Sequence, residues 1–407
     1  MVFSRRICVF LLLIPSALFA QERLTLADAV AQALRSNPQL STAAARVDIS
    51  QGLRSQAALG PNPRLFLQTE NVRFWGTSSP SYPGTDTYAF LAQAFETAGK
   101  RHRRIELANE NVHGSELERQ LQRQQIISRV STAYWAAAGA ARILDLLRQE
   151  VSTVDRVVEF NQDRVHEGAS PEVDLLRIEV ERERLVSSAG AAAQDAERAR
   201  IAMFREMGNT EFRAVEFADA LDQPHPVELL TVEQALSQRP EMKLARENVE
   251  QGRANLRLQE ANVKPDPDAF LGYKRTFGFN TLYAAVQIPL PVRNRNQGQI
   301  EAAAAEIRAA QSSVSATEVQ IRSEVETAKR DYESRQRLLN ETLRPMRDRA
   351  DEVYRIVDAA YRETGSDILR LLDAERTRIE IQLLYTRTLS EFQQSAVALE
   401  TAQGILP

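Results

Sequence analysis

The segment Thr281–Gln311, TLYAAVQIPLPVRNRNQGQIEAAAAEIRAAQ, changes its period in the middle. The first part alternates: Leu282, Ala284, Val286 and Ile288 share one face of a strand, and Tyr283, Ala285 and Gln287 the other. Pro289 and Pro291 end the ladder, because each lacks a backbone donor. A basic, polar turn follows. Beyond Gly298 an Ala-rich helical pattern continues for roughly sixty-five residues, about 100 Å at 1.5 Å per residue. A short strand that runs straight into a helix of that length restricts the possible folds severely.

The 407 residues carry a net charge of −4, 43% hydrophobic and only 6% aromatic residues. Long solvated helices with a narrow Ala-rich seam suit this balance better than one compact core. The mildly acidic chain gives no electrostatic reason to expect nucleic acid. At the start, MVFSRRICVFLLLIPSALFA places Arg5 and Arg6 before an apolar run and small residues towards Ala20, the pattern of a secretory signal over 1–20. Cys8 lies inside that run and is the single cysteine, so the exported chain is expected to have no disulfide, no thiolate metal site and no acylated cysteine at this cut. After Ala20 no apolar stretch reaches the length of a membrane helix. The exported chain is therefore periplasmic, or it spans a membrane by strands that close into a barrel.

The sequence is one unit written twice. LTLADAVAQALRSNPQL from Leu24 corresponds to LTVEQALSQRPEMKL from Leu230, and ALGPNPRLFLQTE from Ala58 to NVKPDPDAFLGYK from Asn262. HEGASPEVDLLRIEVERERL from His166 corresponds to YRETGSDILRLLDAERTRIE from Tyr361. The expected organisation is a first repeat over 21–209, a linking equatorial segment over 210–229 and a second repeat over 230–407. Each repeat reads helix, strand, strand, very long helix, tight turn, helix. The long helices carry heptads: Ile126, Val130, Ala137, Leu144, Leu147, Val151, Val154, Val158 and Val165 in the first, interrupted at Asn161. In the second, Val325, Tyr332, Leu339, Met346, Val353 and Ala360 form one of two seam rows.

Each long helix, near 98–165 and near 296–363, is as long as two shorter helices laid end to end. The lengths predict a stack of 171–207 with 231–263 beside the first, and of 367–402 with 25–59 beside the second. The fold class is thus mainly α with a small β part. Four strands, near 64–73, 87–95, 269–277 and 281–288, are each long enough to cross a membrane at a tilt, yet too few to close a barrel in one chain.

These features together resemble the TolC-like outer-membrane efflux proteins over nearly the whole exported chain. The carriers are the doubled helix openings, the Pro-x-Pro strand entries, QAFETAGKR and QIPLPVRNRNQG at the strand-to-helix passages, and GSDILRLLDAER at the second hairpin turn. ETAGKR with IPLPVRNRNQG looks most like the branch that serves heavy-metal cation pumps of the resistance-nodulation-division type. The resemblance implies a homotrimer with long coiled-coil hairpins forming a trimeric α-barrel across the periplasm. Four transmembrane strands per protomer would contribute to a twelve-stranded β-barrel in outer-membrane lipid. The implied partners are a periplasmic adaptor (membrane fusion protein) and an inner-membrane pump, with no nucleic acid.

The turns HEGASP and RETGSD end the long helices, where Gly168 and Gly365 can take the left-handed conformation and Ser170 can cap a helix beginning at Pro171. The resemblance makes these turns the adaptor-contact tips: Val165, Gly168, Ala169 and Ser170, with Tyr361, Thr364, Gly365 and Ser366. Just beyond, Asp367, Arg370 and Asp373 are three residues apart on one helix face. Asp373 matches an acidic residue that rings the closed entrance in the family, and Arg370 stands where a second acid would be. With Asp174 they form the expected periplasmic gate, Arg370 pairing with Asp373 or Asp174. His102, His113, His166 and His225 show no ligand spacing, so no metal site is expected. No phosphate loop, nucleophile elbow or paired-carboxylate pocket is present, so neither a cofactor nor catalysis is expected. The leading function is a passive outer-membrane exit duct of a tripartite efflux system that extends into the periplasm. Heavy-metal cations, drugs or type I secreted proteins are its candidate cargo. A periplasmic coiled-coil adaptor is the competing function.

Overall fold

A computed structural model describes residues 22–72, 84–223, 226–364 and 367–406. The expected signal sequence with Cys8, His225, Gly365 and Ser366 lie outside the described residues. In chain order the elements are β1 (Glu22–Leu24), α1 (Leu26–Ser36), α2 (Pro38–Ala57), β2 (Arg64–Glu70), β3 (Asp86–Ala94), α3 (Lys100–His166), α4 (Glu172–Met207), β4 (Val215–Phe217), α5 (Val232–Gln238), α6 (Pro240–Ala261), β5 (Asp268–Thr276), β6 (Phe279–Gln287), α7 (Gln297–Arg337), a π-helical segment (Leu338–Leu343), α8 (Arg344–Thr364) and α9 (Ile368–Gln403).

Helix α3 has 67 residues, so it is about 100 Å long. It and the continuous α7–π–α8 rod fold back on α4 and α9, giving two antiparallel hairpins. Among the described residues no helix is long and apolar enough to cross a membrane.

The two short helices that open each half are not continuous, contrary to the reading of 25–59 and 231–263 as single helices. Pro38 and Pro240 push the residue before them out of the helical region, so Asn37 (φ −68°, ψ 121°) and Arg239 (φ −57°, ψ 124°) form elbows. Each elbow then receives a helix end. The Asn37 Nδ2 donates to Glu206 O at 2.9 Å, at the end of α4. Arg239 Nη1 donates to Thr401 O and Ala402 O at 3.3 and 3.1 Å, at the end of α9. A cation suits the negative end of a helix dipole. Gly208 and Gly404 close α4 and α9 with φ of 80° and 73°, and a Cβ on Gly208 would lie 2.9 Å from Asn37 Cα.

These junctions correct the expected stacking. Helix α4 is continued by α2, and α9 by α6, the reverse of the pairing inferred from lengths. Length alone could not distinguish them, because α2 and α6 have 20 and 22 residues.

The linking segment contributes structure the sequence did not suggest. Strand β4 pairs in parallel with β1, Arg23 opposite Glu216. Tyr134 of α3 donates to Leu24 O at 2.9 Å and to Asp219 Oδ2 at 2.7 Å, and Leu26 N donates to that same carboxylate oxygen at 2.6 Å. Around this knot lie Trp135, Met203, Phe204 and Met207, all buried.

The second seam is also corrected. Tyr332 and Leu339 are buried as expected, but Met346 and Val353 are exposed and Ala350 and Tyr361 are buried instead. The π turn inserts one residue, which rotates everything beyond it by about 100° at 3.6 residues per turn. The heptad row therefore leaves the core at Leu339.

Candidate functional site

The larger sheet is antiparallel, in the order β2-β3-β5-β6. Its register aligns Leu65, Leu91, Leu271 and Ala284 in one row, and Leu67, Ala89, Tyr273 and Leu282 in the next. On that face Leu67, Leu282 and Val286 are 74%, 77% and 67% exposed in the single chain. The opposite face carries Phe66, Phe90, Gly272 and Tyr283 in one row and Gln68, Tyr88, Lys274 and Thr281 in the next. Phe90 stacks on Phe66 with ring centroids 5.1 Å apart and leans on Tyr283 at 5.2 Å. Gly272 lets those rings close over the sheet: a Cβ there would be 2.3 Å from Phe90 Cα.

Both strand-to-helix passages use left-handed backbone. Ala98 and Gly99 have φ of 54° and 69°, and Asn296, before α7, has 59°. Asp266 fastens the first passage, accepting from Thr97 N at 2.7 Å and lying 2.7 Å from Lys100 Nζ. Burial acts to raise the Asp266 carboxyl, but Lys100 and the Thr97 hydrogen bonds together outweigh it and hold the group below its usual range.

At the other end, the first tip closes as a Gly turn. Gly168 has φ 71°, its N donates to Val165 O at 3.0 Å, and among the described residues nothing lies within 4 Å of where a Cβ would be. Ala169 is exposed, and Val165 and Ser170 are half-buried. Helix α4 is capped by Pro171 without any side-chain bond, so Ser170 is not the cap: proline's extended ψ of 142° already starts the helix one residue later. At the second tip, Tyr361 is turned inward, only 4% exposed, and donates to Asn161 Oδ1. Asn161 in turn donates to Val157 O at 2.8 Å. The one break in the first heptad is thus a buried polar link between the hairpins. Tyr361 belongs to that link and not to an accessible docking face.

The four expected gate residues lie near these tips, three of them in two separate local pairs. Asp367 (φ 64°) caps α9 and pairs with Arg370 at 2.8 Å. Asp174 lies 3.5 Å from Arg177. Asp373 is exposed on the same face of α9. Within one chain, then, Arg370 joins Asp367 and neither Asp373 nor Asp174. Their spacing in sequence, i to i+3, makes this contact local.

Sequence reasoning missed a stronger feature a few turns further on. Glu150 of α3 and Arg378 of α9 form an ion pair with side chains 8% and 12% exposed, and Arg376 reaches Glu181 of α4 at 2.9 Å. Arg378 also lies over the Tyr354 ring of α8, 4.3 Å from its centroid. Beside them Glu375 is buried, and among the described residues its Oε1 has no hydrogen-bond partner. Burial, followed by repulsion from Glu150, pushes the Glu375 carboxyl up to about 7. The available signal was charge at seam positions: Glu150 sits between Leu147 and Val154, and Glu375 follows Leu371 by one helical turn.

Residues 29–209 match the family model described as outer membrane efflux protein. The cobalt-zinc-cadmium resistance protein CzcC of Cupriavidus metallidurans is 25% identical over 389 residues, covering 94% of this chain and 90% of that protein. The fold is similar to that of a membrane protein from Pseudomonas aeruginosa, with TM-score 0.79, 18% identity, and 93% and 92% of the two chains covered. It is also similar to that of CusC, with TM-score 0.76, 18% identity, and the same 93% and 92% coverage. A short antiparallel sheet prolonged into paired hairpins of this length is the fold this chain shares with those structures. Over residues 29–209 the chain is similar to the outer membrane efflux protein family, and this similarity favours the channel over the adaptor.

Proposed function

We propose that three copies of the chain form the exit duct of a tripartite efflux system. The carrying observation is the sheet: four strands, both outer edges unpaired among the described residues, and one face a belt of exposed leucines. Open edges and an apolar face are unstable in isolation. If β6 of one copy pairs with β2 of the next, three copies close into a twelve-stranded barrel. Leu67, Leu282 and Val286 then face outer-membrane lipid, and Phe90, Lys274 and Tyr283 line the lumen. The hairpins continue the tube across the periplasm as an α-barrel. An energised inner-membrane pump with its adaptor would engage Val165, Gly168, Ala169 and Ser170, together with Thr364, Gly365 and Ser366. Conduction itself is passive.

At rest the tube is narrowed near the second hairpin by Asp174, Asp367, Arg370 and Asp373, each repeated three times by symmetry. Opening would move the second hairpin away from the first. That motion has to separate Glu150 from Arg378, Glu181 from Arg376 and Asn161 from Tyr361. The CzcC relative supports divalent heavy-metal cations as cargo. A deletion strain grown on a panel of metals and drugs tests the cargo. Hypersensitivity to cobalt, zinc and cadmium alone is expected, and hypersensitivity restricted to drugs would reassign the cargo to organic compounds.

A further inference from the structure

We propose that Glu110 and His113 of α3 and Glu247 of α6 form a binding site for one divalent transition-metal ion of the zinc or cobalt kind, clamping the two helices together below the sheet. Their ligand atoms lie within 4.8 Å of one another, and His113 Nδ1 is 2.6 Å from Glu247 Oε2. Glu110 and His113 are one helical step apart, so both project from the same side of α3 towards α6. The site is about 18 Å along α3 from its start at Lys100.

The second observation is the state of Glu247. It is only 6% exposed, yet its Oε1 is sealed from solvent without any hydrogen-bond donor among the described residues. An ordinary His–Glu pair would satisfy Oε2 and leave this atom stranded. The fold also brings a second carboxylate, Glu110, against the first. Among the described residues neither Glu110 nor Glu247 has an Arg or Lys within ion-pair distance. Elsewhere on the same helix pair such charge is compensated: Glu106 is held by Arg103 and Arg257 at 2.9 and 2.6 Å. Two carboxylates closed in on an imidazole have the donor set of a cation site, and the imidazole selects a zinc-like ion over calcium or magnesium.

The geometry needs little adjustment. Ligand atoms around a tetrahedral zinc are about 3.4 Å apart for bonds of about 2.05 Å. His113 and Glu247 would separate by roughly an ångström or less, and Glu110 would close in. The half-exposed His113 leaves a side open for a water as fourth ligand. Gln251 locks the helices next to the site, its Nε2 donating to Glu110 O at 3.2 Å across Gly114, where a Cβ would lie 2.2 Å from that nitrogen. This ion is a resident of the helix interface and is distinct from any cargo in the lumen, so the proposal stands whatever the channel exports.

The test uses the full-length channel, extracted in detergent and stripped with a chelator. ZnCl2 is titrated calorimetrically and CoCl2 by visible absorption. The wild type should bind one zinc per chain, give a ligand-field band with cobalt, and gain thermal stability on zinc addition. Loss of an outer-shell partner alone costs 10–100-fold in metal affinity, so Glu247→Gln and His113→Gln should each weaken binding on the order of a hundredfold or more. Both should also abolish the thermal shift. His113→Gln, on a half-exposed side chain, answers the question if Glu247→Gln fails to assemble. Equal zinc stoichiometry and affinity in wild type and His113→Gln, or no cobalt band in the wild type, would overturn the proposal.

Discussion

Replacing Arg378 by Ala should open the resting channel. Its guanidinium is, among the described residues, the one cation paired with Glu150, at a point where both side chains are about nine-tenths buried. Removing one partner of such a pair costs about 3–5 kcal/mol, because the other charge stays buried without compensation. Here the penalty is compounded, since Glu375, Glu181 and Asp358 all act on the same locus. Moving the second hairpin away from the first lets water reach Glu150 and relieves the penalty. If opening relieves even 3 kcal/mol of it, the closed-to-open ratio falls by about a hundredfold per chain, at tenfold per 1.4 kcal/mol. The assay is resting conductance of the purified channel in planar bilayers, together with leakage of a large antibiotic into cells. Both should rise for Arg378→Ala. The double variant Glu150→Leu with Arg378→Leu should stay near wild type, because apolar replacement of a whole buried pair is close to neutral. Intact trimers of Arg378→Ala with wild-type conductance would refute the idea that this pair holds the hairpins shut.

Other substitutions test separate parts of the structure. Glu375, raised from 4.5 to about 7, favours its protonated form in the fold, so its stabilising contribution is complete below pH 4.5 and is lost as pH rises through 7. Thermal stability of the wild type should therefore fall across that window, and Glu375→Gln should flatten the profile; an unchanged slope in the variant would place the titration elsewhere. Val286→Arg on the apolar face should cost about 2–4 kcal/mol and deplete membrane trimers, whereas Gln287→Arg should be tolerated. Equal loss for both would reject the sheet register. Gly168→Leu forces a side chain into left-handed backbone at an open turn, a strain of about 1–3 kcal/mol at a site remote from the core. Membrane trimers should persist while export fails; disappearance of the trimers would make the turn a folding element.

The strands and hairpins were legible because their periods are strong. The alternation from Leu282 to Ile288, the stop at Pro289 and the long Ala-rich run survive with boundaries shifted by a residue or two. Events set by tertiary contact were not legible. The stacking of α4 on α2 depends on one Asn37 amide meeting a helix end, and helix lengths do not encode it. The seam shift follows from a π turn whose sequence, LLNETL, has no distinctive pattern. Tyr361 was placed at a tip by its neighbours in sequence, but its hydroxyl is held by Asn161, 200 residues away. His113 looked isolated for the same reason: its carboxylate partner lies on another helix. The expected gate residues came from spacing, the repeat and the family resemblance, whereas the buried Glu150–Arg378 pair was hidden because charges at seam positions look like solvated faces until the facing helix is known.

Closure of the sheet bears most directly on the duct, and electron cryo-microscopy of the detergent-extracted particle measures it. The expected result is three copies with β6 of each hydrogen-bonded to β2 of the next, giving one continuous twelve-stranded barrel above a helical tube. A particle in which the four-stranded sheets remain open at β2 and β6, or in which the copies meet only through their helices, would contradict the account.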